Sequence, residues 1–151
     1  MWVHVHTGET TASRAAVWKV LHNIDEWAEW DTSMDWVRLQ GPFQVGSAVV
    51  MKPKGQDPIT AVIVEATENE VYADETQLGD VTLRFSHTLE ALDTGGTRVI
   101  HRLEISGPAA DQVGPELGPA ITADFPEAMD ALLARAASIA HGTPRRAAPP
   151  S

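Results

Sequence analysis

The chain has no cysteine. Disulfides, thiolate metal sites and a cysteine nucleophile are therefore excluded, and the absence fits a reducing interior. Basic residues are scarce: 11 Lys and Arg stand against 21 Asp and Glu, for a net charge of −10. A groove that tracks phosphates needs clustered Lys and Arg. The chain offers only Arg145-Arg146, near its end. No nucleic-acid partner is expected, and the same charge disfavours an anionic membrane surface. No apolar run approaches the ~18 residues that a membrane span requires, so no membrane span is expected. The opening MWVHVHTGET has no basic region ahead of a long apolar run and does not read as a signal peptide. The expectation is a soluble, cytoplasmic protein. Aromatic residues make up only 6% of the chain, with one Tyr and three Phe. Yet all five tryptophans (Trp2, Trp18, Trp27, Trp30 and Trp36) fall within the first 36 residues, three of them in the acidic stretch HNIDEWAEWDTSMDW.

At 151 residues the chain is most simply one domain. WVHVHTGET alternates with period two and reads as a strand. SRAAVWKVLHNIDEW follows, with Ser13 as N-cap and Val17, Leu21 and Ile24 on one helical face. A short second helix runs through Trp27. From residue 34 to 106 six runs rich in Val, Ile and Thr alternate with turn compositions such as PKGQDP, QLGD and DTGG. Runs joined by such short connectors pair antiparallel, because parallel neighbours need a long crossover. Beyond Gly107-Pro108 the texture is alanine-rich and helical, with Ile121, Phe125, Met129, Leu132 and Ala136 in one stripe. Pro126 should kink this helix or restart it. GTPRRAAPPS has no apolar periodicity and reads as a disordered tail over 142–151. The fold class is α+β. A curved seven-stranded antiparallel sheet wraps a long C-terminal helix, with two short helices between strands 1 and 2.

In ASRAAVWKVLHNIDEWAEWD, GPFQVGSAV, TGGTRVIHRLEISGP and FPEAMDALLARA, the chain resembles the START-like or Bet v 1-like (SRPBCC) superfamily, in its polyketide cyclase/dehydrase branch. The resemblance covers roughly residues 1 to 141, the expected START-like ligand-binding domain. It implies the helix-grip fold and a deep cavity for lipids, sterols, polyketides or other mainly apolar molecules. Some members of the superfamily are cyclases, aromatases or dehydratases, and many are carriers. The superfamily has no universal catalytic motif, so the resemblance carries no catalytic residues with it.

The strand VTLRFSHTLEAL should turn Val81, Leu83, Phe85, His87 and Leu89 inward, and TRVIHRLEIS should turn Val99, His101, Leu103 and Ile105 inward. A three-residue loop Asp93-Thr94-Gly95 pairs Leu92 with Gly96. Counting back sets His87 directly opposite His101, with Cβ atoms ~5 Å apart. Two imidazolium ions cannot share an apolar cavity cheaply, so at least one pKa should fall. The pair reads either as polar recognition or acid–base catalysis on a ligand, or as a hydrogen-bonded piece of pocket wall. Glu75 would complete a His2Glu metal set, but its direction is left open by its own strand and no tight ligand motif is present. No metal and no cofactor are expected. His4 and His6 are expected to be exposed, with Val3, Val5 and Thr7 inward.

Trp18 and Trp27 are expected to plug the open end of the sheet, with Trp30 or Trp36 touching the pocket. Phe85, Ile121, Phe125 and Met129 are expected to line it with the two histidines. Ile100, on the outward parity, points to a contact surface of a homodimer. Three functions stay open: a carrier of a small, mainly apolar ligand, a polyketide cyclase/aromatase or dehydratase using a cavity histidine, and an interaction module whose cavity is incidental.

Overall fold

The computed structural model describes residues 1–140, so the tail expected over 142–151 lies outside the described residues. Strand β1 (Trp2–Thr10) leads into helix α1 (Arg14–His22), a 3-10 turn (Ile24–Glu26) and helix α2 (Trp27–Trp30). Six strands follow: β2 (Met34–Gln40), β3 (Ala48–Pro53), β4 (Ile59–Thr67), β5 (Val71–Leu78), β6 (Val81–Ala91) and β7 (Thr97–Ser106). Two helices close the described chain, α3 (Ala110–Thr122) and α4 (Phe125–Ala140). The strands form one antiparallel sheet in the order β1-β7-β6-β5-β4-β3-β2. This is the helix-grip arrangement. No helix among the described residues is long and apolar enough to cross a membrane.

Local sequence explains most of the elements. Ser13 caps α1, its Oγ accepting the Ala16 N–H at 3.2 Å. Val17, Leu21 and Ile24 then enter the core together. The expected single C-terminal helix is two. Phe125 and Pro126 open α4, where proline's missing N–H leaves no gap in the helical ladder. Pro126 thus restarts the helix rather than kinking it. Phe125, Met129, Leu132 and Ala136 are buried along α4, while Ile121 is half-buried on α3.

The parity of β1 is the reverse of the expected one. Trp2, His4, His6 and Gly8 face the helices, whereas Val3 and Val5 are 41% and 48% exposed. Burying the Trp2 ring removes more apolar area from water than either valine would. The Trp2 side chain lies against Gly114 and Gly118 of α3, where a Cβ would come within 2.7 Å of its Cβ and 2.4 Å of its ring, respectively. Gly8 in turn leaves room for Met129, whose Cγ would be 2.8 Å from a Cβ at that position.

Candidate functional site

The β6–β7 hairpin has the register that its loop dictates. Leu92 N–H donates to the Gly96 carbonyl at 2.9 Å, and Gly95, at φ +89°, donates to Leu92 at 3.0 Å. His87 therefore pairs with His101. Both face the helices, and their rings stack with centroids 3.9 Å apart and planes 18° from parallel.

The rung extends on both sides. His6 of β1 lies opposite His101, and Tyr72 of β5 lies opposite His87. Four hydrogen-bonding side chains thus cross β1, β7, β6 and β5 in one row. One inward position further along β5 stands Asp74, whose Oδ2 accepts the Tyr72 hydroxyl at 2.8 Å. Tyr72 and Asp74 are almost wholly buried. Trp27 meets the Tyr72 ring edge-on at 5.5 Å, and its Nε1 donates to the Leu21 carbonyl at 3.0 Å. Phe43, from the β2–β3 loop, stacks on the other side of Tyr72 and also touches Trp18 edge-on. The expected aromatic plug at this end is therefore Trp18 and Trp27 joined by Phe43.

Burial sets the charge states. It pushes His87 down to about 4. It also drives His101 well below the ordinary histidine value, with the charges of His87, His6 and His4 adding to the effect. Both rings are neutral at neutral pH. Burial lifts Asp74 to about 7; the Tyr72 hydrogen bond opposes this and the charge of Glu75 adds to it. Tyr72 is raised far above its ordinary value by burial and by Asp74. His87 is half-buried as a residue, but its Nδ1 is buried without a partner in the protein, as is Asp74 Oδ1. Two neutral imidazoles and a carboxyl poised near neutrality can accept, donate or move a proton.

The other expected site residues divide by place. Phe125 stacks directly on His101, with centroids 3.8 Å apart, so its ring fills the space above that histidine. Phe85 pairs with Leu103 and tilts against Phe125. Met129 packs on β1 at Gly8. Trp30 lies at the far end, lining a hollow of about 140 Å³ with Lys19, Val20, Asn23, Arg135 and Ile139. Trp36 takes the parity of Arg38, whose guanidinium sits 4.6 Å above its ring, and not that of buried Val37. It lines an open groove of about 520 Å³ along β2, away from the histidines. Glu75 faces outward and pairs with Arg84 at 3.2 Å, so the His2Glu set is not brought together. The residues that sequence reasoning missed are His4, His6, Phe43, Tyr72 and Asp74.

Over residues 1–138 the chain matches the family described as polyketide cyclase / dehydrase and lipid transport. The fold is similar to that of Zhui aromatase/cyclase from Streptomyces sp. R1128, at 17% identity and a TM-score of 0.75, covering 90% of this chain and 93% of that one. It is similar to a START superfamily protein from Mycobacterium smegmatis, at 13% identity and a TM-score of 0.72, covering 91% and 98%. Norcoclaurine synthase from Thalictrum flavum is a third similar structure, at 14% identity and a TM-score of 0.68, covering 87% and 84%. Among curated proteins none matches the sequence. The chain belongs to the polyketide cyclase / dehydrase and lipid transport family, within the START-like, Bet v 1-like (SRPBCC) superfamily.

Proposed function

We propose that this protein binds a small, mainly apolar molecule between the sheet and helices α3 and α4, with His87 and His101 as the polar spot. The observation that carries this reading is the stacked, neutral histidine pair on the inward face, with His87 Nδ1 left without a protein partner. A polar atom held in an apolar wall is costly unless something meets it. Phe85 of β6 and Ile121 of α3 support the reading, since both pack against the same core cluster yet remain only half-buried. In this reading the ligand enters through the seam between β6 and α3, beside Phe125. The family description, which includes lipid transport, points the same way.

A titration of the full chain with the apolar fluorophore N-phenyl-1-naphthylamine tests this. Saturable one-to-one binding is expected. Phe85→Trp, which fills the seam, should weaken it by about tenfold. Absence of saturation, or unchanged affinity in that variant, would remove the site.

The second reading is catalysis in the same place, as a polyketide cyclase/aromatase or dehydratase. It is favoured by His87, whose Nδ1 has no partner in the protein and whose ring is neutral at neutral pH, the form a general base needs. A His87→Ala/His101→Ala variant that folds and keeps full turnover on a substrate would end it.

A further inference from the structure

Three arginines on the outer face of this sheet are held in ion pairs. Arg84 holds Glu65 and Glu75, Arg98 holds Glu9 and Glu90, and Arg102 holds Glu104. Asp74 stands apart from them. It is 3% exposed, on the inward parity, between Ile63 of β4 and Phe85 of β6. Among the described residues it is the only Asp, Glu, Lys or Arg in the core. Oδ2 is occupied by the Tyr72 hydroxyl, and Oδ1 is buried with no partner in the protein.

A carboxyl placed only to hold Tyr72 would need one oxygen. Leaving the second unmet in the interior is unfavourable, and native cores keep such atoms rarely. The nearest inward position across the β5–β6 ladder from Tyr72 is His87, whose Nδ1 is likewise unmet. Two unpartnered polar atoms therefore stand on neighbouring inward positions of adjacent strands. Around them the wall is aromatic, with Phe85, Phe125 and Trp27 close by.

We infer that Asp74 is a second polar anchor of the ligand site, taking through Oδ1 a hydroxyl group carried by an otherwise apolar, ring-bearing ligand. A hydroxyl suits this position because it donates to a carboxylate and accepts from a carboxylic acid. Burial lifts Asp74 to about 7, so both forms are present at neutral pH and the contact holds in either. The inference rests on the proposed binding reading and names the ligand class for the same site.

Two probes of one shape test it: naphthalene and 2-naphthol, each competed against N-phenyl-1-naphthylamine on the full chain. 2-Naphthol should bind about tenfold more tightly. Asp74→Leu should abolish that preference and leave naphthalene within about twofold. Should Asp74→Leu fail to fold, the carboxyl carbon-13 resonance of Asp74 in the wild-type chain decides. It should move on saturation with 2-naphthol and not with naphthalene. Equal affinities, a preference that survives Asp74→Leu, or an unmoved Asp74 resonance would overturn the anchor, the last meaning that water caps Oδ1. Naphthalene binding without a naphthol preference overturns the anchor alone. Failure of both probes to bind overturns the binding reading with it.

Discussion

Asp74 and His87 titrate in opposite directions on neighbouring strands. The folded state lowers His87 from 6.5 to about 4, so its contribution is present above 6.5 and lost as pH falls toward 4. It raises Asp74 from 3.8 to about 7, so that contribution is present below 3.8 and lost as pH rises toward 7. The first is worth about 3 kcal/mol and the second about 4 kcal/mol, and between roughly pH 4 and 6.5 the two slopes oppose each other. Asp74→Asn removes the falling slope. Its urea-unfolding free energy should climb more steeply from pH 4.5 to 6.5 than that of the wild type; parallel profiles would show that Asp74 is not perturbed as described. The inward direction of Asp74 was legible in the sequence, though not in its own strand, where both parities are equally polar. The two-residue turn Gly79-Asp80 pairs Leu78 with Val81, and counting back from it sets Asp74 against Phe85 and Tyr72 against His87. The apolar set of β6 then turns both inward.

At the scale of elements, hairpins transmit parity and long-range pairings do not. The β6–β7 loop carried the His87–His101 register without error, because three residues leave it one geometry. β1 joins β7 across most of the chain with no turn between them, so its facing was open until α3 arrived. That docking depends on small residues. Gly118→Ala brings a methyl within 2.4 Å of the Trp2 ring. Despite alanine's better helix propensity, it should destabilise the protein by about 1–3 kcal/mol, measured by chemical denaturation. A stabilised variant would show that α3 does not rest on Trp2 in solution. On α4, Leu132 is 1% exposed in the main core. Leu132→Ala should cost about 2–5 kcal/mol in the same measurement, and a cost under about 1 would place α4 outside the cooperative core.

At the scale of the whole molecule, the sheet grips α4 at the α1 end and meets α3 at the β1–β7 end, through two core clusters. The histidine row lies where these clusters meet, and Phe125 is seated there on His101. The space expected between sheet and helix is therefore shared with Phe125. A ligand that binds only the folded state stabilises all of it. N-Phenyl-1-naphthylamine at a hundredfold excess over its Kd should raise Tm by roughly 5–10 °C. Saturation without any shift would mean that the probe does not enter the fold.

By itself the sequence determined the seven strands and helix α1, the antiparallel pairing of successive strands from β2 to β7, the inward histidine pair and the apolar stripe of α4. Each of these follows from periodicity or from a short turn, and both act over a few residues. Only the tertiary structure decided which way β1 faces, where Trp30 and Trp36 lie, and that Phe125 covers His101. Those outcomes depend on which distant surface buries the most apolar area without a clash, a comparison that no local stretch of chain contains.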